Sequence, residues 1–234
     1  MIHMSRAFDK DLLKYLVARL IPALASLITL LLMMRTLSND QFGIYILTIT
    51  SVGLIGIALI EWLKAYLLKT VARTSDLEVW QEQVSRYLAL VGIFGAGLIA
   101  ICLIIVYLSG SVEIFLASYL LSGGLLFITK SQYEIQLTIY NGSLRSSLYL
   151  KKRLFRNICQ LFFVTVLVAI EASSAVWFVS ALACSYFIAS IFNRSIFSIS
   201  LLKGWRFSSI KRDEFKHAFK FGFPVSLSLT MDWV

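Results

Sequence analysis

The sequence predicts an all-α integral membrane protein, a lobe of six transmembrane helices followed by the start of a seventh. Three observations carry this fold class. Of the 234 residues, 59% are hydrophobic and 15% charged, with a mean hydropathy of +0.80. Soluble domains hold about 45–50% apolar and about 25% charged residues; a water-soluble core cannot absorb that excess, whereas lipid solvates it. The apolar residues also gather into charge-poor runs near the roughly 20 residues that a helix needs to cross a bilayer. Finally, lysine and arginine concentrate on alternate connections between those runs.

The first run covers residues 12–34, with Lys14 and Arg19 in its opening turns and Pro22 just beyond. The second, 41–62, closes on Glu61 and Lys64, and the third, 87–112, is free of charge. The fourth follows Glu113 as far as residue 139 and contains Lys130 and Glu134. The fifth, 154–170, is short; Glu171 begins a tight turn into the sixth, 173–193, and a seventh begins at Phe219. No run alternates with the period of two that a barrel strand needs, so the spans are helices. Gly53 and Gly56, and Gly92, Gly95 and Gly97, are expected to permit close helix packing.

Twenty of the 22 basic residues lie on the amino-terminal segment and on the second-to-third, fourth-to-fifth and sixth-to-seventh connections. The opposite side has only Arg35, and Lys130 lies within a run. Cytoplasmic loops carry such an excess, which places the amino terminus in the cytoplasm. The net charge of +9 therefore marks orientation; a nucleic-acid partner would need a basic face on a soluble fold. Cys102, Cys159 and Cys184 sit singly in apolar runs, without metal-ligand spacing or an even count for a disulfide framework. His3 and His217 lack acidic or cysteine co-ligands, and no glycine-rich phosphate loop occurs, so neither metal, cofactor nor catalytic constellation is expected. The first run ends in LLMMRTLSND, without the small residues of a signal cleavage site, and reads as a retained anchor.

The two ends of the chain resemble each other. KYLVARLIPALASL at 14–27 and KHAFKFGFPVSLSL at 216–229 each place a lysine eight residues before a proline, Lys14 before Pro22 and Lys216 before Pro224. Arg19 and Lys220 fall inside the two intervals, and Ser26 and Leu27 match Ser228 and Leu229 at the same offset of 202. These are the chain's only prolines. A proline removes a helix hydrogen bond and permits a bend, and such helices at matching positions of two halves are a mark of transporters. Six spans separate them, so the repeat is parallel, about an axis along the membrane normal. The expected organisation is a six-helix lobe at 1–200, a cytoplasmic linker at 201–218, and at 219–234 the truncated first helix of a second lobe. That is a fragment of a protein of twelve or more helices.

LLLMMRTLSNDQFGIYILT, with Arg35, Leu37, Ser38, Phe42, Gly43 and Tyr45, resembles the junction of the first two helices in the Wzx-type polysaccharide (O-antigen) flippases. These belong to the MATE-like exporter superfamily. EWLKAYLLK after the second run resembles that family's Trp-Leu followed by a basic residue, and Gly222 and Pro224 in KFGFPVSLS resemble the opening of its second lobe. The resemblance implies a V-shaped, MATE-like transporter of the bacterial inner membrane, with two six-helix lobes alternating access to a central cavity. The implied cargo is an undecaprenyl-diphosphate-linked oligosaccharide, moved with ion coupling. The implied partners are membrane lipids, a missing carboxy-terminal lobe or other polysaccharide-assembly proteins.

Charges within spans are costly and face a cavity, a partner or water. Lys130 and Glu134 stand four apart on one helix face, either as a mutually neutralised pair or as cavity groups meeting a diphosphate or acidic sugar. Arg19 is either a snorkelling interfacial arginine or the group that meets the carrier's pyrophosphate at the cytoplasmic mouth. Arg35 caps the carbonyl end of the first helix. Glu61 pairs with Lys64 at a helix end or serves as an ion-coupling carboxylate, with Pro22 and Pro224 as gating bends; Asp232 would lie deep in the seventh helix. Two other classes stay open: a membrane-embedded glycan-modifying enzyme such as an acyltransferase or polymerase, and an inactive remnant.

Overall fold

In the computed structural model, which describes residues 2–71, 91–97, 99–101, 104, 114–143, 145–192, 216 and 219–224, every described element is helical. Helix α1 (Ile2–Thr36) carries Pro22 in its interior and Arg35 in its last turn, beside the unpaired carbonyls that a cation favours. Ser38 then starts α2 (Asn39–Gly56), its hydroxyl accepting the Gln41 N–H at 3.4 Å. A π-helical turn, Ile57–Glu61, leads without a break into α3 (Trp62–Val71). The helix therefore outlasts the second run expected from the sequence, and Glu61 and Lys64 lie inside it rather than at its end. Asn39–Thr70, 32 residues, is the one described helix long and apolar enough by itself to cross a membrane; Leu20–Thr36 and Ala175–Ile191 are shorter apolar stretches.

Residues 91–97 are helical, followed by α4 (Ile114–Gly142), α5 (Ser146–Ala169) and α6 (Ala175–Ile191). The connection expected between 139 and 154 is thus much shorter. Lys151, Lys152, Arg153 and Arg156 sit on the first three turns of α5, not in a loop. Residues 146–156 contain no glycine or proline, and their Leu, Lys and Arg are good helix formers. Between α5 and α6 the expected tight turn is present, with Glu171 at φ 52°. Its N–H donates to the Val168 carbonyl at 3.1 Å and that of Ala172 to Leu167 at 3.0 Å, a Schellman closure with glutamate where glycine is usual.

Packing is not confined to neighbours in sequence. α1 lies chiefly on α5, while α4 touches α2, α3, α5 and α6 and forms the centre of the bundle. Leu126, Ile135, Phe178 and Val179 fill that centre. The 91–101 stretch crosses α4 at two glycines: a Cβ on Gly95 would come within 2.4 Å of Ile128 Cγ1, and one on Gly124 within 2.2 Å of Ile99 Cγ1. At Gly53, Gly56, Gly92 and Gly97 a Cβ meets nothing within 4 Å among the described residues. Gln41 ties three helices, its Oε1 accepting from Tyr119 Oη at 2.7 Å and from the Ala175 N–H at 2.9 Å.

Residues 219–224 lie on α3. Phe219 meets Trp62 edge to face at 5.6 Å, Lys69 stands 3.7 Å over the Phe221 ring, and a Cβ on Gly222 would fall 2.0 Å from the Trp62 carbonyl oxygen. Only glycine allows that approach. Of the linker expected at 201–218, Lys216 alone is described; Ser228, Leu229, Asp232 and His217 lie outside the described residues.

Candidate functional site

Helix α5 reverses the usual arrangement. A helix on a soluble protein turns its apolar stripe to the core and its polar face outward. On α5 the buried residues include Lys152, Asn157 and Gln160, whereas Ile158 is 63% exposed, Phe162 63% and Ile170 67%. The polar residues, at intervals of three to five, line the inside of the bundle.

Lys152 begins that series. Its Nζ donates to Gln136 Oε1 on α4 and to the Ser190 carbonyl in the last turn of α6 at 3.4 Å, where a helix dipole favours a cation. The residue lies before the fifth apolar run, 154–170, and loss of water pushes its ammonium pKa down to about 8. The unfolded chain then binds the proton more tightly, so the cost of burying the charge is full below that value. It fades as pH rises toward the ordinary lysine value of about 10.4, and stability rises with pH across the window. The melting temperature of the detergent-solubilised protein is expected to gain between pH 7 and pH 9.5, and Lys152→Met is expected to remove most of that gain. Equal pH dependence in the two proteins would refute it.

One turn further along α5 opens a cavity of about 330 Å³ between α3, α4, α5 and α6. Lys64 enters from α3, Tyr133 and Glu134 from α4, Tyr149, Arg153 and Arg156 from α5, and Tyr186 from α6. Lys64 Nζ bridges two carboxylates, Glu61 Oε1 at 2.6 Å and Glu134 Oε2 at 2.8 Å, so its charge is consumed within the wall. Arg153 Nη1 donates to Tyr149 Oη at 2.9 Å. Arg156 lies 4.5 Å from the Tyr186 ring centroid, and Tyr186 packs edge to face with Tyr133 at 5.3 Å.

The partners of Arg156 are all neutral. Nη1 donates to Asn157 Oδ1 at 2.9 Å and Nη2 to Gln160 Oε1; among the described residues no carboxylate forms an ion pair with it. Gln160 Nε2 continues the chain to Thr29 Oγ1 on α1 at 3.3 Å. Two donors remain without an acceptor among the described residues, Arg156 Nε and Asn157 Nδ2, both buried. A buried cation lacking a counter-charge is costly, and unpaired buried donors call for an ion or water. The wall therefore suits an anion, with forked N–H groups for a phosphate and tyrosine rings beside it.

Of the residues singled out in the sequence, Glu134 lines this cavity and Glu61 touches it through Lys64. Lys130 is not in the wall, and Glu134 pairs with Lys64 rather than with Lys130, because α3 crosses α4 at that turn. Arg19 lies on α1 by its backbone, but its side chain is outside the described residues. Pro22 is half-buried in α1, and Pro224 stands on the 219–224 segment, in the wall of a different recess. Sequence reasoning passed over Arg153, Arg156, Asn157 and Gln160 by counting the first two as loop charges. Their helical spacing at the head of an apolar run was the available signal. Among the described residues no group of three His, Cys, Asp or Glu gathers as metal ligands. No protein-family model, no curated protein and no solved structure matches this chain.

Proposed function

We propose that this chain is the amino-terminal, six-helix transmembrane lobe of a MATE-like flippase. Its cargo is undecaprenyl-diphosphate-linked oligosaccharide, an O-antigen or capsular repeat unit, carried across the bacterial inner membrane by ion-coupled alternating access. The observation that carries this reading is α5, with Lys152, Asn157 and Gln160 buried and Ile158 and Phe162 exposed. A lipid surround favours that arrangement, because apolar side chains facing it cost nothing. The alternation of basic clusters along the sequence supports a cytoplasmic side for the head of α5, and with it the cavity, where such cargo is built.

At about 330 Å³ the cavity is at the small end of ligand sites, which run from about 300 to 1,000 Å³. It takes the diphosphate, leaving the glycan to the space that a second lobe would close. Arg153 and Arg156 supply the donors. Lys64, held by Glu61 and Glu134, sets how much positive charge is offered, and Lys130 adds to the field from outside the wall. The purified chain in detergent is expected to bind undecaprenyl diphosphate at least tenfold more tightly than undecaprenol. Equal affinities, or a chain that leaves the membrane pellet under alkaline carbonate, would overturn the reading.

A further inference from the structure

A second recess, of about 380 Å³, lies on the segment that docks against α3, lined by Lys216, Phe219, Lys220, Phe223 and Pro224. Its walls are almost wholly apolar. Phe219 and Phe223 stack at 4.9 Å, and Lys216 and Lys220, four residues apart and exposed, stand together at the rim. Pro224 has no N–H to give the Lys220 carbonyl, which leaves an acceptor beside the two ammonium groups. The platform is held in place from below by the Gly222–Trp62 approach and the Trp62–Phe219 contact. Between 203 and 220 the sequence carries six basic residues against two acidic ones.

We propose that this recess binds an anionic glycerophospholipid of the cytoplasmic leaflet. Its phosphate lies between Lys216 and Lys220, a headgroup hydroxyl donates to the Lys220 carbonyl, and the upper acyl chain lies on Phe219 and Phe223. Two cations over an aromatic floor match a lipid of that charge, and the location follows from the basic side of the chain facing the cytoplasm. The proposal rests on the membrane reading above, though not on the identity of the cargo. Bound lipid adds to the contacts that hold residues 219–224 against α3.

Native mass spectrometry of the full chain in detergent, titrated with phosphatidylglycerol and separately with phosphatidylcholine, tests it. Phosphatidylglycerol is expected to bind more tightly. At roughly 1 kcal/mol for each lysine near the surface, Lys216→Gln with Lys220→Gln is expected to weaken it about thirtyfold. Arg145→Gln with Lys151→Gln, an exposed basic pair elsewhere, is expected to leave it unchanged. Phe223→Ser, with both lysines intact, is expected to weaken both lipids. Equal affinity for the two lipids overturns the proposal. So does an unaffected lysine double variant, or an equal loss in the Arg145/Lys151 pair, which would mean unspecific charge attraction. Undecaprenyl diphosphate binding that survives Lys216→Gln with Lys220→Gln separates failure here from failure of the flippase reading.

Discussion

Replacing Arg156 by leucine is expected to abolish selective binding of undecaprenyl diphosphate while the protein stays in the membrane at normal level. Arg156 holds a cavity charge whose hydrogen-bond acceptors, Asn157 and Gln160, are uncharged amides. Hydrogen bonds to a charged group are worth about 1.5–3 kcal/mol, so loss of the guanidinium predicts roughly a ten- to hundredfold weaker complex with the diphosphate and no change for undecaprenol. Arg156→Lys separates charge from geometry. It restores a point charge without the fork, and affinity is expected to recover only in part. Lys130→Gln provides the contrast, because Lys130 is not in the wall. A small effect there beside a large one at Arg156 places the anion in the cavity. The reverse pattern would return the site to the pair that the sequence brings forward.

The sequence sets Glu134 beside Lys130, and the structure pairs it with Lys64. Lys130 and Glu134 share a helix face, and i, i+4 spacing is legible in one dimension. The partner that Glu134 takes is 70 residues away, Lys64 at 2.8 Å, and depends on α3 crossing α4. Spacing says nothing about that. The helical class and the positions of most helices were legible, because apolar runs of about 20 residues and the glycine and proline punctuation are local properties. Where a helix outlasts its apolar run, hydropathy misplaces the boundary. Arg153 and Arg156 look like loop charges to a hydropathy count, yet their helix begins at Ser146, so they enter the bundle. Similarly, Gln41 stands in the sequence only as the first residue of the second run. Its side chain instead reaches Tyr119 and Ala175, contacts that exist only once α4 and α6 are in place.

Whether the exposed apolar face of α5 meets lipid or water can be decided at Phe162, the midpoint of the fifth run. Phe162→Lys is expected to prevent stable membrane insertion of this helix. A lysine at the centre of a spanning helix costs about 2.5–3.5 kcal/mol on insertion scales, roughly a hundredfold shift in the equilibrium. Phe162 is 63% exposed and makes one described ring contact, with Phe163 at 5.7 Å, so lost packing contributes little. On a water-facing surface the same substitution falls within about ±0.5 kcal/mol and would improve solubility. The two environments thus predict opposite outcomes from one change. Phe162→Leu, which keeps the apolar surface, should insert normally. Carbonate-resistant membrane protein, measured for both variants beside the parent, gives the readout: a Phe162→Lys chain that remains fully inserted would remove the lipid from around α5. With it would go the physical reason for placing Arg156 and Gln160 inside.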